Sequence, residues 1–201
     1  LTAPRALAQR RPQPRRPVLQ WSPDSRRIAV QRADERNVGT VALYSSTSQR
    51  PQHYVFPYAQ PGDSIVPVYD IHIVDVEAGT NTRVQVEPQT FQVNGLVGIG
   101  PDSTWRTVKW APDGGRLYFT HAVRGPKRVQ LMVADATTGA ARILARDSAA
   151  TFVELNLDNS EPPNWRVANG GRDVLWFSPP GGWGPPSPLA GWHTAPVPRG
   201  P

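Results

Sequence analysis

The chain has 201 residues, with 22 Lys and Arg against 16 Asp and Glu, a formal net charge of +6 and no cysteine. That length holds one domain or part of a larger one, and the missing cysteine excludes disulfides, thiolate metal sites, iron–sulfur ligation and a cysteine nucleophile. Proline and glycine number 23 and 17, a density that works against long helices, since they cost about 3 and about 1 kcal/mol in a helix interior, and no run of about 18 apolar residues is present to form a transmembrane helix.

In chain order, the first feature is a basic tail. Arg5, Arg10, Arg11, Arg15, Arg16, Arg26, Arg27 and Arg32 face a single acid, Asp24, so the excess charge sits at the N-terminal end and the rest is close to neutral. A nucleic-acid reader needs basic groups on a folded face interleaved with aromatics for stacking. The first aromatic here is Trp21, so residues 1–17 are predicted to be a solvated Arg/Pro-rich tail and nucleic acid is not an expected partner. The chain opens on Leu1, and a fragment of a longer protein is the expectation.

The middle reads as repeated strand pairs. Trp21-Ser22-Pro23-Asp24 leads into Arg27-Ile28-Ala29-Val30, and Trp110-Ala111-Pro112-Asp113 leads into Arg116-Leu117-Tyr118-Phe119. Pro23 and Pro112 pre-set φ for a tight turn, and Asp24 and Asp113 can accept from amides just downstream. Ile28, Val30, Leu117 and Phe119 are expected to alternate inward. A degenerate third copy starts at Asn164-Trp165 and turns at Asn169-Gly170, a pair suited to positive φ. Trp21, Trp110 and Trp165 are expected at equivalent strand positions, packing between sheets. After each of the first two copies comes a second predicted hairpin, Tyr69–Gly79 returning over Thr82–Val86, and Gln130–Gly139 returning over Ala141–Leu144.

Two such hairpins make a four-stranded sheet, and sheets of that kind repeating every 40–50 residues or so are propeller blades. The prediction is therefore an all-β fold: a partial β-propeller over 18–178, with two to three four-stranded antiparallel blades at about 18–90, 104–148 and 150–178. A Rossmann sheet would need crossover helices, and an immunoglobulin-like sandwich would not produce the recurring Trp-x-Pro-Asp. Between Ala33 and Pro67 lies an excursion carrying Tyr44, His53, Tyr54, Phe56 and Tyr58. These aromatics either pack the loop onto its sheet, the expected arrangement, or form a recognition surface. Residues 179–201, Pro/Gly-rich, are predicted to be an aberrant or disordered tail, because prolines remove backbone donors.

The order of these segments resembles the N-terminal β-propeller of the dipeptidyl peptidase IV family, in the prolyl oligopeptidase clan. The resemblance rests on Arg50–Asp75, with its Phe56-Pro57-Tyr58 turn, its Val66-Pro67 step and its outgoing strand ending Ile73-Val74-Asp75; on Trp21-Ser22-Pro23-Asp24 upstream; on Ser160-Glu161-Pro162 before Asn164-Trp165; and on Leu175-Trp176-Phe177-Ser178. It implies the non-catalytic propeller portion of a serine exopeptidase, gating and walling a cavity for a peptide substrate, with a C-terminal α/β-hydrolase domain of the same parent chain as partner and a periplasmic or secreted location. It places Leu157, Asp158 and Glu161 near the substrate entrance, where the alternative is an ordinary surface loop. After Gly182-Trp183-Gly184 the family would continue with a strand, whereas this chain turns to Pro185-Pro186-Ser187-Pro188, where no strand is expected.

No catalytic residue is assigned, since a serine hydrolase of this clan needs Gly-x-Ser-x-Gly and the sequence holds none. No cofactor is expected. His53, His72, Asp70 and Asp75 are a weak metal candidate, because they lack close ligand spacing. The second functional reading is a non-catalytic propeller that serves as a protein-interaction scaffold.

Overall fold

The computed structural model describes residues 18–46, 49–90, 105–125, 127–153, 164–177 and 192–197. Among the described residues, thirteen strands form four antiparallel sheets, none of them closed. The first sheet takes β1 (Leu19–Trp21), β2 (Arg27–Asp34), β5 (Val68–Asp75) and β6 (Thr80–Arg83) in the spatial order β1-β2-β5-β6, with β3 (Thr40–Ser45) and β4 (Gln52–Pro57) set apart as a two-stranded sheet. The second is a four-stranded meander of β7 (Val108–Trp110), β8 (Arg116–Ala122), β9 (Arg128–Asp135) and β10 (Ala141–Ser148). The third has β11 (Trp165–Ala168), β12 (Asp173–Phe177) and β13 (Trp192–Pro196). Successive sheets stack face to face, which is the arrangement of a partial propeller.

The turns form as the local chemistry dictates. Asp24 Oδ1 accepts from the Arg26 N–H at 3.2 Å and Asp113 Oδ1 from the Gly115 N–H at 2.9 Å. Ser25 and Gly114, one residue past each Asp, both have positive φ, 58° and 67°, and Asn169 and Gly170 follow suit at 50° and 65°. The second hairpin of each full sheet repeats a different device. Asp75 Oδ1 accepts from the Ala78 N–H and Asp135 Oδ1 from the Thr137 and Thr138 N–H groups, and each turn closes on a left-handed glycine, Gly79 or Gly139.

The donors around Asp135, the Thr138 N–H foremost, hold its carboxyl below the usual aspartate range. A folded pKa below the unfolded one means that the unfolded chain binds more protons in acid. The stabilisation is then complete above an ordinary aspartate pKa of about 4 and is lost as pH falls below it. Urea midpoints at pH 6 and pH 3 should therefore differ less in Asp135→Asn, which keeps an acceptor oxygen but cannot titrate, than in the parent chain. Equal acid losses in the two would assign the effect to other carboxylates.

Two cores fill the gaps between sheets. One joins Ala29, Ile71, Ile73 and Val84 of the first sheet and its continuation to Val108, Trp110, Leu117, Phe119 and Met132 of the second. The other joins Tyr118, Leu131 and Val133 of the second to Trp165, Val174 and Trp176 of the third. The inward alternation expected of the second copy holds, with Leu117 and Phe119 fully buried. In the first copy it is Ala29 that is buried, while Ile28 and Val30 are half-buried on the opposite face. The physical reason is that Ile28 and Val30 occupy the positions of Leu117 and Phe119, which face the preceding sheet. No described sheet precedes the first one. Trp21 shares that outer face and is 50% exposed.

The tryptophans also differ in register. Trp21 pairs with Ile28 and Trp110 with Leu117, each directly beside the turn. Trp165 pairs with Trp176, three rungs beyond the turn-flanking pair Ala168 and Asp173. Its expected equivalence to the other two is therefore a shared facing direction, not a shared rung. At the C-terminal end, the coil predicted across 179–201 is interrupted by β13, which pairs residue for residue with β12 from Asp173↔Pro196 to Phe177↔Trp192. The four residues Trp192–Ala195 contain no proline, so their amides are free to donate, and Pro196 sits at the strand end where a missing N–H is tolerated. Val197 then buries itself in the second core. Residues 1–17 and Gly182-Trp183-Gly184 lie outside the described residues.

Candidate functional site

Leu157, Asp158 and Glu161 also lie outside the described residues, but both ends of their segment are anchored. Val153 is buried in the core between the second and third sheets. Asn164 is buried and bonded twice to Phe177, its backbone oxygen taking the Phe177 N–H at 2.8 Å and its side-chain amide donating to the Phe177 carbonyl at 3.2 Å. The third sheet thus fixes where residue 164 emerges.

Four exposed large side chains, Leu43, Tyr44, Tyr54 and Val55, gather on the β3–β4 hairpin. Its six rungs run from Thr40↔Pro57 to Ser45↔Gln52, and alternation sorts its side chains. Val41, Leu43, Tyr54 and Phe56 share one face, and Ala42, Tyr44, His53 and Val55 the other. Tyr44 stacks on its cross-strand partner His53 with ring centroids 4.5 Å apart and 8° between planes, and Phe56 meets Tyr58 edge-on at 6.2 Å. The expectation that these aromatics pack the excursion down is overturned for the tyrosines: Tyr44 is 75% exposed, and Tyr54, Tyr58, Leu43 and Val55 are exposed as well. The cause is topological. A separate two-stranded ribbon has two faces, and no described sheet packs behind it, so apolar residues on both faces stay uncovered, Leu43 and Tyr54 on one and Tyr44 and Val55 on the other. The paired runs Val41–Tyr44 and His53–Phe56 on either side of a Ser-rich segment were the sequence signal for this hairpin.

The seam between the first two sheets is closed by polar contacts. Arg27 Nη1 donates to the Gly114 carbonyl at 3.2 Å while its Nε lies 3.5 Å from the Asp75 carboxylate. Trp110 Nε1 donates to the Gln20 carbonyl at 3.1 Å. Residues 84–90 thread along this seam: the Gln85 N–H donates to the Gly139 carbonyl, and His121 Nε2 pairs with the Glu87 carbonyl. At the next seam Trp165 Nε1 donates to Thr120 Oγ1 at 2.8 Å, and Tyr118 Oη donates to the Gly171 carbonyl at 2.9 Å. Lys109 Nζ lies 5.8 Å above the Trp165 ring, and burial, then the Arg166 charge, lowers its pKa. Burial raises that of Tyr118. These are groups engaged in holding sheets together.

Among the described residues, no three His, Asp or Glu side chains gather closely enough to hold a metal. His53 and His72 sit on different sheets, with His72 Nδ1 paired to Asn81 Oδ1, Asp70 bonded to Arg83 and Asp75 beside Arg27. No described helix is long and apolar enough to cross a membrane.

With this geometry in hand, comparison with known proteins gives a consistent picture. The sequence pattern described as the dipeptidyl peptidase IV (DPP IV) N-terminal region matches residues 15–184. Among solved structures, the fold is similar to a putative dipeptidyl aminopeptidase IV from Bacteroides ovatus, with 18% identity, a TM-score of 0.56 and coverage of 80% of this chain and 20% of that one. It is also similar to Porphyromonas gingivalis dipeptidyl peptidase 4, with 15% identity, a TM-score of 0.58 and coverage of 80% and 21%. The chain thus spans about a fifth of the length of those proteins.

Proposed function

The chain belongs to the dipeptidyl peptidase IV N-terminal region family, and from that premise we propose that it is the non-catalytic propeller portion of a serine exopeptidase that removes dipeptides from peptide amino termini. The observation that carries this reading is the conjunction of stacked four-stranded sheets with the β3–β4 excursion inserted between β2 and β5, inside the matched span 15–184. The sheets would wall and gate the cavity in which a peptide substrate meets a C-terminal α/β-hydrolase domain of the same parent. Leu157, Asp158 and Glu161 would stand at its entrance. The chemistry itself, acyl transfer through a seryl intermediate, would belong to the partner domain, and the location would be periplasmic or secreted.

The test is hydrolysis of Gly-Pro and Ala-Pro chromogenic substrates by this chain alone and by the longer gene product that contains it. We expect no turnover from the chain alone, because it has no Gly-x-Ser-x-Gly, and turnover from the longer product. In that product Glu161→Gln should raise KM with little change in kcat. A longer product with further sheets and no Gly-x-Ser-x-Gly would replace this reading with the scaffold, for which the exposed Tyr44, Tyr54 and Tyr58 would supply the contact surface.

A further inference from the structure

The β3–β4 hairpin belongs to neither neighbouring sheet. It is joined to the first sheet by residues 35–39 on one side and 58–67 on the other. Isolated two-stranded ribbons are marginally stable, so contacts at the root of the ribbon bear on how firmly it is held. The return connection is folded into a turn: Asp63 Oδ2 accepts from the Gln60 N–H at 2.7 Å, and the Asp63 N–H donates to the Gln60 carbonyl at 3.1 Å. The same Gln60 carbonyl accepts from Arg124 Nη2 at 2.7 Å, and Arg124 Nη1 reaches the Asp63 carbonyl at 3.5 Å. Arg124 follows β8 in the second sheet, more than 60 residues away in sequence. Its own backbone is held, with its N–H donating to Thr90 Oγ1 at 3.0 Å and Gly125 beside it at φ 66°.

We propose that Arg124 is a positioning residue that latches the root of the aromatic hairpin to the second sheet and so fixes the direction in which Tyr44, Tyr54 and Tyr58 point. A guanidinium suits the task because its planar fork serves two acceptors at once, while an ammonium is a single point charge. Both acceptors are backbone carbonyls, so the contact reads the path of the chain and not the identity of a side chain. A hairpin held in one direction meets a partner without the entropic cost of being ordered on contact. The inference is independent of the proposed peptidase role, since it concerns this chain's own geometry.

The experiment is amide hydrogen exchange on the full chain, comparing the parent with Arg124→Gln and Arg124→Lys. Loss of about one charge-assisted hydrogen bond predicts roughly tenfold faster exchange across 52–66 in Arg124→Gln. Amides of β8 and β9 should keep their parent rates, and Arg124→Lys, which can hold one carbonyl, should fall between. Unchanged exchange over 52–66 would overturn the latch. So would an equal acceleration of β8 and β9, because it would mark Arg124 as general support for its sheet, and so would Arg124→Lys behaving as Arg124→Gln.

Discussion

Replacing Trp165 with alanine is expected to cost about 3–5 kcal/mol of folding stability, the range for truncating a fully buried large aromatic. Trp165 has no exposed surface, packs with Tyr118, Leu131, Val133, Val174 and Trp176, and supplies the ring beneath Lys109 Nζ. Its indole N–H bonds Thr120 Oγ1 at a buried site, so truncation removes that hydrogen bond as well as opening a cavity. Trp165→Phe separates the two effects: it keeps most of the volume and should lose only about 1–2 kcal/mol. Trp21→Ala is the informative contrast. Trp21 carries the same repeat signature but is half exposed, so its truncation should cost about 1 kcal/mol or less. Urea denaturation of the three variants measures all of this. A Trp21→Ala loss as large as that of Trp165→Ala would show the outer face of the first sheet to be covered in solution.

The second large effect belongs to Gly139. A Cβ built there would collide with the Arg83 carbonyl oxygen and press on Thr82 Cγ2. The residue also has φ 73°, a conformation that costs an L-residue about 1–2 kcal/mol. The turn cannot back away freely, because the Gln85 N–H donates to the Gly139 carbonyl and Gln85 Nε2 to the Thr138 carbonyl. Separating the strands of this seam would give up those bonds at about 1 kcal/mol each. Gly139→Ala should therefore destabilise the chain by about 3–4 kcal/mol, the sum of backbone cost and lost bonds. Gly79 is the internal control: it closes the matching turn of the first sheet at φ 64° but has nothing within 4 Å of its would-be Cβ. Gly79→Ala should then carry the backbone cost alone, about 1–2 kcal/mol. Similar denaturation midpoints for the two variants would mean that the seam between Arg83 and Gly139 is not closed in solution.

These two glycines show how far local sequence reaches. Gly79 and Gly139 follow the same acidic turn pattern, and the left-handed backbone at both is readable from one chain. That Gly139 abuts another sheet and Gly79 does not is decided by the stacking of the first sheet on the second. The same division runs through the candidate site. The apolar runs at Val41–Tyr44 and His53–Phe56 announce two strands, yet nothing in them says that the ribbon joins no larger sheet and leaves its tyrosines uncovered. Arg124 carries no local signal at all, since its meaning lies in two carbonyls more than 60 residues upstream.

What the sequence determined alone is the set of features whose energy is local: the Pro-Asp turns, the positive-φ pair Asn169-Gly170 and the strand pairs that flank these turns. What only the tertiary structure decided is which face of each sheet is covered, that β13 completes the third sheet, that Trp165 sits farther from its turn than Trp110 does, and that the hairpin is tethered across a seam. Backbone dihedrals and side-chain alternation are set within a few residues, whereas burial and cross-sheet hydrogen bonds depend on groups brought close by the fold.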